Sequence, residues 1–343
     1  MNPERWKRLV FPGPRQVVLE EEEEELPEPT AGEILVRNEL SMISPGTELA
    51  LYTGSHVGFH DPEIPWAQYP LYPGYAAVGR VVKGGGEDIE AGELLLHFTP
   101  HASHSFLKPE RDLFFHLPSG LKPSHVLAVR FGQIAYTAFA AARQKPKNVL
   151  VLGAGLVGNL AAQVFREKAE GEVIIADLIQ ERLRIARECG LPKGVDSTKE
   201  ELGRQIGTIT GGQGVDTVVE ATGVPALIVQ SLELVNPLGE VILLGSPRGT
   251  LNLNVYKLIH RKNTVLTGAH ESRFPLRKSE GISPSREGII EELIDLIVRK
   301  RIAVQPLITH VLRPEQAGQA YERLQDKRDQ YLGVILEWHR SPG

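Results

Sequence analysis

The clearest hydrophobic pattern lies in the middle of the chain. Residues 148–152 form a short apolar run, which is typical of a strand buried on both faces. Residues 172–176 form a second run of the same kind. Between them, residues 159–168 follow the helical period, with one apolar side made of Leu160, Ala161, Val164 and Phe165. This pattern predicts a strand, a helix and a second buried strand.

Strands and helices continue to alternate after this unit. Apolar runs at 215–221, 239–244 and 264–268 predict strands, and the periodic segments 182–189 and 225–234 predict helices. A helix is also predicted before the unit, over residues 125–143. Alternation of this kind is typical of a doubly wound parallel sheet. We therefore predict that residues 130–272 form a Rossmann domain.

The first part of the chain has a different pattern. Short strand candidates are separated by prolines and glycines, and the pattern up to about residue 125 is all-β. From residue 273 onward, a helix (286–300), a strand (308–311), a helix (314–325) and a strand (331–337) are expected to return to this domain. The predicted β-rich domain thus contains residues 1–129 and 273–343, and the fold class is α/β.

Composition narrows the possible functions. The 343 residues are enough for two domains, and the formal net charge of −5 argues against a nucleic-acid partner. Cys189 is the only cysteine, so neither a disulfide framework nor a cysteine metal cluster can form within the chain. No apolar segment reaches about 18 uninterrupted residues, which argues against a membrane partner. We expect a cytoplasmic protein.

A glycine-rich turn joins the first central strand to its helix. Gly153, Gly155 and Gly158 match G-x-G-x-x-G, and Asp177 ends the next strand 19 residues later (177 − 158). In this motif a pyrophosphate approaches the second glycine and the first helical N–H groups, here those of Leu156 and Val157. The acidic residue accepts the ribose hydroxyls. The combination predicts a dinucleotide site.

Asp177 also indicates which dinucleotide binds. The 2′-phosphate of NADP would lie against this carboxylate, and like charges repel. The following residues, Leu178 and Ile179, provide no compensating guanidinium. Arg182 could stack on the adenine or lie on the helix surface. We therefore expect NAD(H) as the cofactor.

The order of the domains and several short motifs resemble the medium-chain dehydrogenase/reductase family along nearly the whole chain. Residues 45–48 (Pro-Gly-Thr-Glu) resemble its Cys-Gly-Thr/Ser-Asp motif, and residues 73–76 (Pro-Gly-Tyr-Ala) resemble its Pro-Gly-His-Glu motif. The resemblance implies a GroES-like catalytic domain beside the Rossmann domain. It also implies that two later loops line the nicotinamide and its ribose, through Thr222, Gly223, Gly245 and Ser246.

The departures from the family pattern concern the catalytic zinc. Zinc-dependent members carry cysteine and histidine where this chain has Pro45 and Tyr75. Proline has no ligand atom, and a phenol is a poor zinc ligand at neutral pH. Residues 130–133 (Arg-Phe-Gly-Gln) offer no third zinc ligand, and the structural zinc lobe lacks its cysteines. The chain resembles a zinc-free member, nearest the branch of bacteriochlorophyllide-type and sugar or cyclitol dehydrogenases.

Two groups of histidines require separate interpretation. His97, His101 and His104 could form a metal site or could be partly buried polar residues. The second interpretation is favoured, because their spacing suits a helix and the surrounding sequence predicts strands. By family analogy, His270 faces the substrate cleft, where it could contact the substrate or play a structural role.

Without zinc, a side chain must transfer the proton. The resemblance places Thr47 at the family's hydroxyl relay and Tyr75 where a zinc ligand would point at the reacting oxygen. Tyr75 could donate a proton to a forming alkoxide, or it could be a packed aromatic wall. Glu48 could tune either group, or it could form a structural salt bridge to an arginine.

The favoured hypothesis is a zinc-free NAD(H) oxidoreductase for an alcohol or ketone, acting on a sugar-like or cyclic polyol. The alternative is a quinone or enone reductase that uses NADPH, against which Asp177 argues. A non-enzymatic NAD(H)-binding protein is a third, more distant possibility. The resemblance further implies a homodimer or homotetramer that pairs through residues 251–255 to 266 at the sheet edge.

Overall fold

The computed structural model describes residues 5–84, 89–198, 202–279 and 284–339. Its contacts divide the chain into two compact units. The first unit contains Met1–Arg130 and Ile308–Gly343, and the second contains Phe131–Leu307. Each unit has its own β-sheet, so the α/β fold with a separate β-rich domain is confirmed.

The strands and helices of the described residues are as follows. The strands are β1 (Arg5–Val10), β2 (Val18–Glu25), β3 (Ile34–Ile43), β4 (Ala77–Gly84), β5 (Leu94–His97), β6 (His104–Leu107), β7 (Phe114–His116), β8 (Val149–Leu152), β9 (Val173–Asp177), β10 (Gly194–Asp196), β11 (Val215–Glu220), β12 (Val235–Leu243), β13 (Val265–Gly268), β14 (Ile308–Leu312) and β15 (Gly333–Glu337). The helices are α1 (Thr47–Thr53), α2 (Pro123–Val126), α3 (Ala128–Ala141), α4 (Leu156–Lys168), α5 (Gln180–Glu188), α6 (Leu202–Ile209), α7 (Pro225–Leu234), α8 (Arg286–Val298) and α9 (Ala317–Asp326).

The second unit is built on a parallel six-stranded sheet. Its strand order is β10-β9-β8-β11-β12-β13, and every pairing in it is parallel. Counted from β8, this is the doubly wound order 3-2-1-4-5-6. The strand order reverses between β8 and β11, and ligands bind at such a switch point, beyond the carboxyl ends of the strands. The predicted dinucleotide residues all lie beyond those ends.

The first unit contains a seven-stranded sheet and the two-stranded sheet β1–β2. The larger sheet runs β14-β15-β3-β4-β5-β7, with β6 paired to β3. Its core includes three close aromatic rings: Phe11 packs on Tyr321 at 4.9 Å between ring centroids, and Tyr52 stacks on Tyr321 at 5.5 Å. These contacts hold α1 and α9 together, and α1 carries two of the predicted catalytic residues.

Two predictions of secondary structure differ from the structure. The segment before residue 125 is not all-β, because Thr47–Thr53 forms α1, which ends at Gly54 in the left-handed conformation. Residues 251–254 form no strand, and β13 is the edge strand of the parallel sheet. In a proline- and glycine-rich region, the short α1 leaves too few turns for a helical period to be visible.

The second domain boundary also differs from the prediction. It falls after Leu307 rather than at residue 273. The reason is a set of side-chain contacts made by α8 and the segment that follows it. Tyr136 donates to Glu292 at 2.7 Å, and Gln163 exchanges two hydrogen bonds with the backbone of Ala303, at 2.7 and 3.0 Å. Residues 308–339 return to the first unit, as expected of the tail.

Among the described residues, no helix combines the length and hydropathy that a membrane span requires.

Candidate functional site

The glycine loop between β8 and α4 is closely packed where the motif requires it. Gly153 has φ +100°, a backbone conformation that residues other than glycine rarely adopt. A Cβ on Gly158 would lie 1.9 Å from the carbonyl oxygen of Gly153, so only glycine fits there. At Gly155 a Cβ would meet just one atom, Arg182 Nη1 at 4.0 Å. The loop is thus tight beneath the helix and open at its middle glycine.

The start of α4 leaves its first N–H groups available. No side chain of the described residues caps this helix, whose N-cap is Gly155. Leu156 and Val157 are its first two residues. Helix N-termini have unpaired donors and a positive dipole end, both of which favour an anion. These two N–H groups therefore suit a pyrophosphate.

Asp177 is fixed beside this loop. Its Oδ2 accepts from the Ala154 amide at 2.7 Å, and its Oδ1 accepts from the Ile179 amide at 2.9 Å. Arg182 Nη1 lies 3.7 Å from Asp177 Oδ2, within ion-pair distance. From the sequence, Arg182 could stack on the adenine or lie on the helix surface. In the structure, its guanidinium lies beside Asp177 and the glycine loop.

The two later loops pack on each other through glycines. A Cβ on Gly245 would lie 2.3 Å from Gly223 N, and a Cβ on Gly223 would lie 2.5 Å from Ser246 O. Glu220 orders the first loop: it accepts from Thr222 N at 2.8 Å and from Gly223 N at 3.0 Å. Burial raises the pKa of Glu220, and these hydrogen bonds lower it in part. The four residues assigned to the nicotinamide side are therefore brought together.

His270 follows β13 and is exposed. Its Nδ1 accepts from Ser272 N at 3.2 Å and lies 2.7 Å from Ser272 Oγ. The His270 side chain thereby caps a short 3₁₀ turn. The structural role considered for His270 is thus present. A contact between His270 and the substrate stays a prediction.

These features fit a dinucleotide. The open middle glycine, the uncapped helix start and the anchored carboxylate stand in the order that pyrophosphate and ribose require. Parallel strands bring all of them to one edge of the sheet, because their carboxyl ends lie side by side.

A second cluster lies in the first unit, around Tyr75. Its hydroxyl donates to Ser44 Oγ at 2.5 Å. The guanidinium carbon of Arg130 lies 4.8 Å from the centre of the Tyr75 ring. Burial raises the pKa of Tyr75 to about 12, Glu48 adds to this rise, and Arg130 together with hydrogen bonds to Ser44 and Thr47 lowers it. Tyr75 is therefore a protonated phenol at neutral pH.

Glu48 lies behind this tyrosine and is fully buried. Its Oε1 accepts from Ser44 N at 2.9 Å, and its Oε2 accepts from Tyr321 Oη at 2.6 Å and lies 3.0 Å from His101 Nε2. The expected structural partner, an arginine, is not in ion-pair contact with Glu48 among the described residues. A histidine from the segment between β5 and β6 and a tyrosine from α9 take its place.

His97, His101 and His104 do not converge. His97 lies 3.0 Å from Asn38 Oδ1, His101 lies 2.8 Å from Ser41 Oγ, and His104 lies 3.1 Å from Ser103 Oγ. Burial lowers the pKa of His97 to about 3. Within the described ranges, no three histidine, cysteine or acidic residues are placed to hold a metal ion.

The zinc of the family's metal-dependent members can be tested against these side chains. Pro45 offers no side-chain donor atom, the Tyr75 hydroxyl is hydrogen-bonded to Ser44, and both ring nitrogens of His101 have partners. The donor set of the described residues around Tyr75 therefore does not fit a tetrahedral zinc site.

Sequence reasoning missed four contributors to these clusters. They are Ser44, Arg130, Glu220 and Tyr321. Ser44 precedes the motif at residues 45–48, and Arg130 lies where zinc-dependent relatives would carry a metal ligand, so neither position indicated a contact with Tyr75. Tyr321 is 273 residues from Glu48, and no local signal connects them.

Comparison with known proteins relates this chain to the medium-chain, zinc-type alcohol dehydrogenase-like proteins. Residues 157–280 match the family model described as zinc-binding dehydrogenase. L-Threonine 3-dehydrogenase of Aeromonas hydrophila is 27% identical over 228 residues, which are 66% of this chain and 61% of that protein. The matched segment thus spans about three fifths of that relative. The resemblance stated above is thus supported by a family model over residues 157–280 and by a relative at 27% identity.

Solved structures extend the likeness of fold along the chain. A short-chain alcohol dehydrogenase (rspB) of Escherichia coli CFT073, complexed with NADH, has a TM-score of 0.76 at 18% identity over 97% of this chain and 99% of its own. A protein from Sinorhizobium meliloti 1021, bound to NADP, has a TM-score of 0.77 at 19% identity over 97% and 99%. Both nicotinamide cofactors therefore occur on this fold.

Proposed function

We propose that this protein is an oxidoreductase that transfers a hydride between NAD(H) and the carbon of an alcohol or ketone, without a catalytic zinc. The observation that carries the proposal is Asp177, anchored by two amides beside an open glycine loop. The NADH complex of the E. coli protein with the same fold supports it. The zinc-free chemistry is supported by Pro45, which has no ligand atom, and by Tyr75, whose phenol is a poor zinc ligand at neutral pH.

In this proposal, Tyr75 donates and accepts the proton. When bound, the nicotinamide supplies or removes the hydride. As a carbonyl is reduced, the Tyr75 phenol gives its proton to the substrate oxygen, and in the reverse direction the phenolate takes it back. Ser44 Oγ, now an acceptor at 2.5 Å, can rotate its hydroxyl and donate to the phenolate. Thr47 is the second hydroxyl beside the phenol.

The proposed substrate is a sugar-like molecule or a cyclic polyol. The support is the resemblance of residues 44–48 and 73–75 to the sugar and cyclitol branch of the family. Neutral hydroxyl groups are also compatible with a donor that stays protonated at neutral pH, as Tyr75 does with its pKa of about 12.

We predict that NADH binds at least about tenfold more tightly than NADPH, which is about 1.4 kcal/mol. The 2′-phosphate would meet the carboxylate of Asp177. Arg182 lies 3.7 Å from that carboxylate and offsets part of the repulsion, so the expected ratio is kept at about tenfold. Calorimetric titration with both cofactors measures the ratio.

Asp177→Asn is the control for this preference. It removes the negative charge and leaves the Arg182 guanidinium beside a neutral group, so the NADH preference should narrow. Equal affinity in the unchanged protein, or tighter NADPH, would contradict the proposal. Reduction of enones with NADPH would then support the quinone or enone reductase instead.

We predict that purified protein carries much less than one zinc per chain. The reason is the mismatch between the side chains around Tyr75 and a tetrahedral site. Elemental analysis after expression in zinc-supplemented medium measures this directly. A stoichiometric zinc content would overturn the zinc-free mechanism, and His101→Ala would then show whether the metal lies near Glu48.

We predict a homodimer, or a dimer of such dimers, that pairs through β13. This strand is the edge of the parallel sheet, and Leu266 on it is 37% exposed. An exposed edge is a ready template for pairing across a two-fold axis. Light scattering should give at least twice the chain mass at micromolar concentration.

A charge on this edge should weaken the assembly. Leu266→Lys is expected to shift the light-scattering mass toward the monomer. Val311→Lys is the matched control, since Val311 is also exposed, on β14 of the other sheet. A monomer mass for the unchanged protein would refute the assembly.

A further inference from the structure

Arg130 lies over the ring of Tyr75, the residue that donates the proton in the proposed function. It lies in the first turn of α3, and its guanidinium carbon is 4.8 Å from the centre of the Tyr75 ring and 5.9 Å from that of Phe98. A cation within about 6 Å of a ring centre is attracted by the ring. Two aromatic rings therefore hold this positive charge beside the phenol.

The charged groups that act on Tyr75 come from different elements. Glu48 on α1 is a buried carboxylate that opposes a negative charge on the phenol. Arg130 on α3 has the opposite effect. Tyr321 on α9 donates to Glu48 and, with its pKa far above the usual value because of burial, stays neutral. A phenolate formed at Tyr75 thus has one carboxylate against it and one guanidinium in its favour.

We infer that Arg130 is a positioning residue for proton transfer: its guanidinium stabilises the Tyr75 phenolate that forms when the phenol protonates the substrate oxygen. This inference rests on the proposed function. The Tyr75 O–H bond breaks, and its electron pair stays on the phenolate oxygen. A new O–H bond forms on the substrate, whose carbon takes the hydride from NADH. Water then returns a proton to the phenolate.

Ser44 completes the local arrangement. Its hydroxyl oxygen accepts from the phenol at 2.5 Å, and its backbone N–H is held by Glu48 at 2.9 Å. The hydroxyl can reverse its direction, but the backbone cannot move without losing the bond to Glu48. Ser44 is therefore fixed in place to serve both protonation states of Tyr75, while Arg130 offsets the charge of one of them.

The test measures the pKa of the phenol at position 75 directly, without any substrate. In the full-length protein, 3,5-difluorotyrosine is incorporated at position 75, and its ¹⁹F resonance is titrated with pH. This fluorinated phenol is more acidic than tyrosine, so its titration falls in a range that the fold tolerates. Arg130→Gln should raise the pKa of the probe by about one unit, a tenfold change in acidity. Arg130→Lys should restore part of the shift.

Arg111→Gln is the matched control. Arg111 has a side chain that is 67% exposed and pairs with Asp112, so the same charge change there should leave the probe unaffected. Thermal melting identifies any variant that does not fold. If Arg130→Gln fails to fold, Arg130→Met, which keeps an unbranched side chain without the charge, tests the inference in its place, and an unchanged titration there would overturn it.

Activity separates this inference from the proposed function. NADH oxidation is followed with a panel of cyclic ketones and keto sugars. A weaker acid should lower kcat by up to about tenfold in Arg130→Gln, by Brønsted behaviour, with KM little changed. If the unmodified protein reduces none of these compounds but the probe shifts, the proposed function fails and the ion-phenol pairing stands. If it reduces them and the probe does not shift, the inference about Arg130 fails.

Discussion

Tyr75→Phe is expected to lower the turnover number by about 100- to 10,000-fold, because a general acid contributes that much to rate. The substitution keeps the ring, its packing and the contact with Arg130, and it removes the hydroxyl that donates to Ser44. NADH affinity should be unchanged, since the residues proposed to bind it belong to the other unit. The measurement is steady-state NADH oxidation with the best substrate from a screen of cyclic ketones and ketoses.

Thr47→Val is the matched control for Tyr75→Phe. It removes the Thr47 hydroxyl beside the phenol while the side chain keeps its shape. It therefore tests the hydroxyl relay of Thr47 separately from proton donation by Tyr75. If Tyr75 is only an aromatic wall, Tyr75→Phe should cost less than about tenfold. If both variants turn over at nearly the original rate, the donor is elsewhere, and His270 or a bound water becomes the next candidate.

Gly158→Ala is expected to reduce NADH affinity by at least about a hundredfold, which is about 2.7 kcal/mol. The added Cβ would lie 1.9 Å from the carbonyl oxygen of Gly153 and 3.0 Å from its carbon. Both atoms are backbone, so the loop beneath the pyrophosphate must move. Overpacking of this kind should also lower the free energy of unfolding by about 1–3 kcal/mol. Calorimetry with NADH and chemical denaturation give the two values.

Gly207→Ala makes the same chemical change where there is room. Gly207 lies inside α6, and a Cβ there would meet no atom of the described residues within 4 Å outside the nearby backbone of its own helix. Alanine is the better helix former by about 0.5–1 kcal/mol, so stability should be kept or raised, with NADH affinity unaltered. Normal NADH binding by Gly158→Ala would show that this loop does not hold the cofactor.

Local patterns in the sequence determined the Rossmann unit. Buried parallel strands are continuous apolar runs and helices repeat every 3.6 residues, so β8, α4 and β9 could be predicted within a few residues. The glycine motif required only neighbouring positions, and the carboxyl ends of parallel strands meet by geometry. The residues proposed to bind the cofactor therefore followed from the sequence.

The tertiary structure alone decided how the catalytic candidates are partnered. Ser44 and Tyr75 are 31 residues apart, and Glu48 and Tyr321 are 273 apart. Neither pair has a periodic signal, because such contacts depend on which strands and helices pack together. The same reason explains the domain boundary. Residues 286–300 have the helical pattern that was predicted, but Glu292 on this helix contacts Tyr136 of the second unit. The sequence could identify Tyr75 as a candidate donor, but only the packing of α1, α3 and α9 placed a hydroxyl, a guanidinium and a buried carboxylate around it.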